Sequence, residues 1–366
     1  MAIFEKFFIC HSPINTMGRR PYRVEINYPV SGPPKYFLVK DIRVGNKKQK
    51  IKKYLCSGDP PNQEQVEEFR KQYSYEIEYK AALKKAELSS SRYILGYLKA
   101  ESIENLEKIR FLYQTVSSLM TTDELKFYKE NFEVTYIHGT TSIEGNTLTL
   151  DQAKSLIQDK IAPKGKELRE INEVQNFKDV IKYRDSYKGK ISLQFIKKLH
   201  SLIMKNIDDD GAGLFRNIDT VFITGSDIIV TPHMEIENEL QKIIDYYYKR
   251  LSEGYHPFEE AVMFHYFFEI IHPFKDGNGR VGREIFNYIL AKAEYPRLLF
   301  LGETRDYYIG ALKDGNQDEF NVMVEKFVNL LVKQRFIILQ KNLKTIVLRD
   351  TITHKGQMKL DSFFET

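Results

Sequence analysis

The stretch Ile270-Ile-His-Pro-Phe-Lys-Asp-Gly-Asn-Gly-Arg-Val-Gly-Arg283 decides how this chain is read, because it joins two helical patterns through a loop rich in reactive groups. Upstream, EEAVMFHYFFEIIH (259–272) is apolar and aromatic at helical spacing, which predicts a buried helix delivering His272 at its C-terminal end. Pro273 stops that helix, since the residue before a proline is pushed out of the α region. Helical periodicity resumes from Arg280 to Ala293, so Gly277, Asn278 and Gly279 sit just before a helix N-terminus. A permissive backbone there turns N–H groups toward one point, and the helix dipole favours an anion. Arg280 and Arg283, one turn apart, project from the same face as forked donors suited to phosphate. Asp276 offers a hard oxygen ligand for a magnesium ion on phosphates. His272 can take a proton from a hydroxyl near neutral pH. The set points to phosphoryl or nucleotidyl transfer.

Two other readings of the same residues fail on context. Gly277 to Gly282 satisfies the dinucleotide fingerprint G-x-G-x-x-G, but that fingerprint needs a strand before it and here a helix precedes it. His265, Glu269 and His272 stand at i, i+4 and i+7, as a metal face would; within an aromatic stripe His265 reads instead as core packing.

Outward from the loop, the 366 residues suggest about two folded units. The chain carries 24 Phe and 23 Tyr against no Trp, enough apolar material to exclude a wholly disordered chain. With 55 basic and 50 acidic side chains the surface is mixed, weaker than the field of a dedicated nucleic-acid binder. No apolar run of roughly eighteen residues predicts a spanning helix, so no membrane role is expected. Only Cys10 and Cys56 are present, consistent with a cytoplasmic protein holding reduced thiols. Residues 1–57 read as β, from YRVEINY, KYFLVKDIRV and GNKKQKIKKYLC, with the lysine run 47–53 as a guarded hairpin edge and nucleic-acid contact as the weaker reading. The breakers Ser57-Gly-Asp-Pro-Pro-Asn62 mark a boundary, and 63–130 reads as a helical linker region of two or three long helices. A helical domain follows over 131–344, interrupted between Asp208 and His233 by an alternating hairpin pattern, and 345–366 reads as a flexible tail.

His272 to Arg283 resembles the Fic-domain family at every defined position of HPFx[D/E]GNGRxxR, and the resemblance covers about residues 110–330. It implies a mainly α, helical Fic fold with a β-hairpin flap, preceded here by a small β-rich N-terminal region. It implies transfer of AMP from ATP to a Ser, Thr or Tyr hydroxyl of a protein, with Mg2+ as cofactor. By the family's pattern His272 is the general base and Asp276 holds the metal. Gly277, Asn278 and Gly279 form the anion hole, Gly282 belongs to the nucleotide loop, Arg280 binds inner phosphates and Arg283 the γ-phosphate. Phe274 is the core anchor. Gly279 stands where the branch resembling the Doc toxins has Lys, which favours AMP transfer over phosphate transfer. Thr140-Thr-Ser-Ile-Glu144-Gly145-Asn146 resembles the family's inhibitory pattern [S/T]xxxE[G/N], making Glu144 a competitor for Arg283. The stretch from Val221 to Pro232 resembles the flap that docks the target, with Gly213-Leu-Phe-Arg216 as its lead-in. Tyr308 and Asn316 resemble adenosine-pocket positions. The function alternatives are phosphate or other nucleotide transfer on the same fold, and a non-catalytic nucleotide-switched module. A homodimer stays open.

The tail adds a separate resemblance. Gln357, Leu360, Phe363 and Phe364 match the sliding-clamp-binding PIP-box pattern Qxx[ILM]xx[FY][FY], in which one helical turn presents a three-pronged apolar plug. The alternative is that these aromatics fold back on the protein.

Overall fold

A computed structural model of the chain describes residues 22–220 and 230–352. The expected flap residues 221–229, the clamp-binding residues Gln357, Leu360, Phe363 and Phe364, and Cys10 lie outside the described residues. The chain divides into two units, Met1–Ile77 and Glu78–Thr366.

The first unit is built on an antiparallel sheet of β1 (Arg23–Asn27), β2 (Lys35–Val44) and β3 (Lys47–Ser57), in that order. The two-residue connection Gly45-Asn46 pairs Val44 with Lys47, and the register shifts between Tyr36 and Phe37. Alternation sorts the faces. Tyr36, Leu38 and Leu55 turn into a core with Tyr22 and Ile77, against which Phe69 and Tyr73 of α1 (Gln63–Ser90) pack. β3 is an edge strand, and its exposed Lys50 pairs with Glu25 across the sheet at 2.9 Å, with Lys52 on the same carboxylate. The basic run is thus a solvated edge with a cross-strand counter-charge.

The second unit is helical. After the latter part of α1 come α2 (Ala100–Leu119), α3 (Thr122–Ser142), α4 (Leu150–Gln158), α5 (Leu168–Ser186) and α6 (Leu193–Ile203). These are followed by α7 (Ile236–Glu253), α8 (Pro257–Ile271), α9 (Asn278–Lys292), α10 (Arg305–Gly315) and α11 (Phe320–Ile352). Helix starts follow local chemistry. Thr121 and Glu124 form a reciprocal capping box on α3, Thr149 and Gln152 do so on α4, and Pro257 takes the first position of α8. α8 is apolar nearly all round, and a helix of that kind belongs in the middle of a bundle. Phe258, Ala261, Val262 and Phe268 are fully buried, with α7 and α9 packed against it. α3 and α5 meet behind α9, while α2 and α10 pack on α11. Among the described residues no helix is long and apolar enough to cross a membrane.

Candidate active site

α8 ends as the proline predicts. His272 is its C-cap, in the left-handed region at φ 50° and ψ 58°, an unusual place for a residue with a Cβ. Its N–H still donates to Phe268 O at 3.0 Å, while its ring leaves the helix half-buried. Arg216 holds this conformation from outside. Its Nε donates to His272 O at 2.8 Å, its Nη2 to Ile271 O at 3.2 Å, and its backbone N–H to Pro273 O at 2.9 Å. One buried guanidinium therefore caps the end of α8, and its bond to Thr231 O ties the same point to the far end of the flap segment. Burial lowers the pKa of His272, with the Arg216 charge adding to it and a 3.4 Å contact of Nδ1 with Glu269 O opposing. The ring is neutral at neutral pH, and a proton on Nδ1 leaves Nε2 as acceptor.

The loop folds around Phe274, which is fully buried and stacks on His200 with centroids 3.7 Å apart and planes within 1°. His200 receives the Gly213 N–H on Nδ1 at 2.8 Å, which makes its Nε2 the donor to Asp276 O at 3.0 Å. Burial pushes His200 down to about 4, so this neutral tautomer persists over the physiological range. Asn278 spans the loop with both ends of its amide: Oδ1 accepts from Phe274 N at 2.9 Å and Nδ2 donates to Phe274 O at 2.8 Å. Its side chain is thus a brace on the loop. Gly277 caps α9 at φ 80°, and the first-turn N–H groups of that helix have no intrahelical acceptors. They form a nest for an anion.

Arg280 and Arg283 are both buried under this nest. Arg280 donates to Glu173 Oε1 and Asp276 Oδ1, each at 3.1 Å. Asp276 also accepts from the Gly277 N–H at 2.5 Å and from Arg169. Burial alone would raise the Asp276 carboxyl; the Arg280 charge and these hydrogen bonds outweigh it and hold the pKa below the usual range. Among the described residues no cluster of three His, Cys, Asp or Glu side chains stands ready to cage a metal. An ionised, partly exposed single carboxylate beside an anion nest fits magnesium, which takes one or two carboxylates and draws its other ligands from water and phosphate.

Arg283 is held from α3. Its Nε donates to Thr140 Oγ1 at 2.8 Å, and its Nη2 to Thr140 O at 2.9 Å and to Glu144 Oε1 at 2.6 Å. Glu144 sits in the turn after α3, its side chain 37% exposed, while Asn146 fastens the turn to Glu170 O and Glu173 Oε2 on α5. Burial would raise the Glu144 carboxyl, but the Arg283 charge and hydrogen bond lower it below its ordinary value. Gly279 lies against this pair: a Cβ there would stand 2.5 Å from Glu144 Oε1 and 2.8 Å from Arg283 Nη1. A side chain at 279 would make the ends of these two side chains shift.

Three further expected positions are placed as follows. Gly282 packs against Glu269 and His265 at the α8–α9 contact, which requires the absence of a side chain. Tyr308 is 2% exposed, packed against Phe300, Phe327 and His265, with its hydroxyl 2.8 Å from His265 Nε2. Asn316 is an exposed cap on α10, its backbone N–H closing on Leu312 O. His265 is buried, as the aromatic stripe implied. Sequence reasoning missed Arg169, Glu173 and His200. Each lies at least 76 residues from its loop partner, and helical spacing carries no sign of such pairing.

Residues 190–290 match the model of the Fic/DOC family. The chain is 29% identical over 231 residues to protein adenylyltransferase fic-1 of Caenorhabditis elegans, covering 62% of this chain and 44% of that protein. It is 31% identical over 193 residues to protein adenylyltransferase Fic of Drosophila willistoni, covering 52% and 38%. The chain spans less than half the length of these curated relatives. Among solved structures, a Fic domain-containing signaling protein from Bacteroides thetaiotaomicron aligns with a TM-score of 0.59 at 20% identity, covering 66% of this chain and 98% of that one. C. elegans Fic-1 (residues 134–508) aligns at 0.58 and 22%, covering 77% and 86%. At these identities the structural likeness shows the fold: a helical Fic fold preceded by a small β-rich region.

Proposed function

We propose that this chain is an autoinhibited protein adenylyltransferase, moving AMP from ATP to a Ser, Thr or Tyr hydroxyl of a protein target. The observation that carries the reading is the complete loop at the start of α9 with Glu144 bonded to Arg283 at 2.6 Å. The target oxygen attacks the α-phosphorus, its proton passes to His272 Nε2, and pyrophosphate leaves as the α–β bond breaks. The open N–H groups of the α9 first turn take the negative charge that gathers on the phosphoryl oxygens, where fixed donors need no rearrangement. Arg280 and Arg283 orient the remaining phosphates. When bound, magnesium on Asp276 supplies charge neutralisation to the phosphates.

A phosphate and the Glu144 carboxylate are alternative anions for one guanidinium, so the ion pair opposes productive ATP binding. The same half-open carboxylate is a candidate base for hydrolytic removal of AMP. Target docking on 221–232 by strand addition belongs to this reading. The tail residues Gln357, Leu360, Phe363 and Phe364 support a second contact, with a sliding clamp; capture by a clamp that survives Phe363→Ala with Phe364→Ala removes that part.

The test is incubation with ATP labelled at either the α- or the γ-phosphate, using the parent, Glu144→Gly, and His272→Ala in each background. Protein-bound α label, raised at least about tenfold by Glu144→Gly (~1.4 kcal/mol of barrier) and abolished without His272, is the expected result. Transfer of γ label makes this a phosphotransferase. Equal rates in Glu144→Gly and the parent remove the inhibition.

A further inference from the structure

Asp276 accepts from two side chains among the described residues, and both are arginines that are held very differently. Arg280 is 2% exposed, paired at 3.1 Å with Glu173 and lodged 3.7 Å from Met204 Sδ, so it is a fixed part of the wall. Arg169 stands in the first turn of α5 with its side chain 52% exposed. It donates to Asp276 Oδ2, and its other contact, to Glu173 Oε1, is long at 3.4 Å. An ionised carboxylate offers about four lone-pair sites. Arg280, the Gly277 N–H and Arg169 already occupy three of them, and among the described residues Arg169 alone covers Oδ2.

We propose that Arg169 is a resident cation on Asp276, an exchangeable guanidinium that holds the carboxylate until a divalent cation arrives with the nucleotide and so sets the metal affinity of the site. The inference rests on the reading of Asp276 as the metal ligand. A divalent cation and a guanidinium cannot share one oxygen without strong repulsion, so one of the two arginines must yield. The buried one has nowhere to go, and withdrawing it would leave Glu173 and Asp276 under-paired. The half-exposed one swings into water at a cost on the scale of a surface ion pair, and its freed charge stays beside the incoming triphosphate. Asp276 thus keeps a counter-charge whether or not metal is present.

The experiment measures Mn2+ binding by electron paramagnetic resonance on the full chain, saturated with a non-hydrolysable ATP analogue, in the parent, Arg169→Gln, Arg169→Lys and Asp276→Asn. Nucleotide affinity is measured separately in chelator. Arg169→Gln is expected to bind Mn2+ about threefold tighter or better, the scale of a half-exposed ion pair, with chelator-phase nucleotide affinity unchanged or lower. Arg169→Lys is expected to stay near the parent, because it keeps the charge. Unchanged or weaker Mn2+ binding in Arg169→Gln, with Asp276 still required, overturns the proposal and makes Arg169 a plain phosphate ligand or surface pair. Mn2+ binding that ignores Asp276→Asn removes the metal reading of Asp276 and the proposal with it, so the two failures are told apart. A thermal melt of Arg169→Gln within a degree or two of the parent excludes misfolding as the cause.

Discussion

Burial and the neighbouring Arg216 charge lower the pKa of His272 and so favour the neutral ring that the proposed role of base needs. A general base must be deprotonated, and a pKa below the ordinary histidine value of about 6.5 moves the loss of activity to more acid pH. In the Glu144→Gly background, the acid limb of kcat/KM against pH is therefore expected to have its midpoint below about 6.5; a midpoint at or above that value contradicts it. Three residues earlier, Glu269 carries a different burden. Burial pushes its carboxyl up to about 8, and among the described residues neither its Oε1 nor His265 Nδ1, 3.7 Å away, has a hydrogen-bond partner. The folded pKa lies above the unfolded carboxylate value, so the native state holds the extra proton and stability falls as pH rises between about 4.5 and 8. Glu269→Gln removes that titration. The variant is expected to gain on the parent by about 1 kcal/mol for each pH unit across the window, read from urea unfolding at pH 5, 6.5 and 8. A pH-independent difference would show that the carboxyl is ionised throughout.

At the scale of elements, the proposed inhibitory contact depends on how α3 is fastened to α9. Next to Arg283 in α9, fully buried Glu284 accepts from Tyr136 of α3 at 2.8 Å and from Arg184 of α5 at 2.7 Å. Arg184 reaches on to Glu133 of α3 at 2.9 Å. Three helices are thus pinned by one network behind the Thr140–Arg283–Glu144 contacts. Tyr136→Phe takes one donor from a buried carboxylate and is expected to cost about 1–3 kcal/mol in urea unfolding. By loosening α3 it should also raise AMP transfer in the parent while leaving the Glu144→Gly rate unchanged. An equal rise in both backgrounds would mean that Tyr136 does not act through Glu144.

At the scale of the whole molecule, every described residue of the candidate site falls in the second unit, from Thr140 to Arg283. The first unit has a core of its own, and α1 runs across the division at Ile77. A chain ending at Ile352 is accordingly expected to label itself or an added target at the parent's rate, scored with α-labelled ATP in the Glu144→Gly background. A drop of more than about tenfold would place part of the machinery beyond residue 352.

The sequence by itself determined the helix–loop–helix around His272, the N-terminal hairpin strands β2 and β3 and the glycines before α9, because proline, glycine and apolar period act on neighbouring residues. It also singled out Thr140 to Asn146, though only a motif linked that turn to Arg283 across 139 residues. Only the tertiary structure decided that Asn278 braces Phe274, that Tyr308 is sealed in the core, and that Arg169 and His200 bear on Asp276. Those outcomes depend on which helix faces pack together. A periodic pattern tells which side of a helix is buried, and is silent on the distant side chain it will meet there.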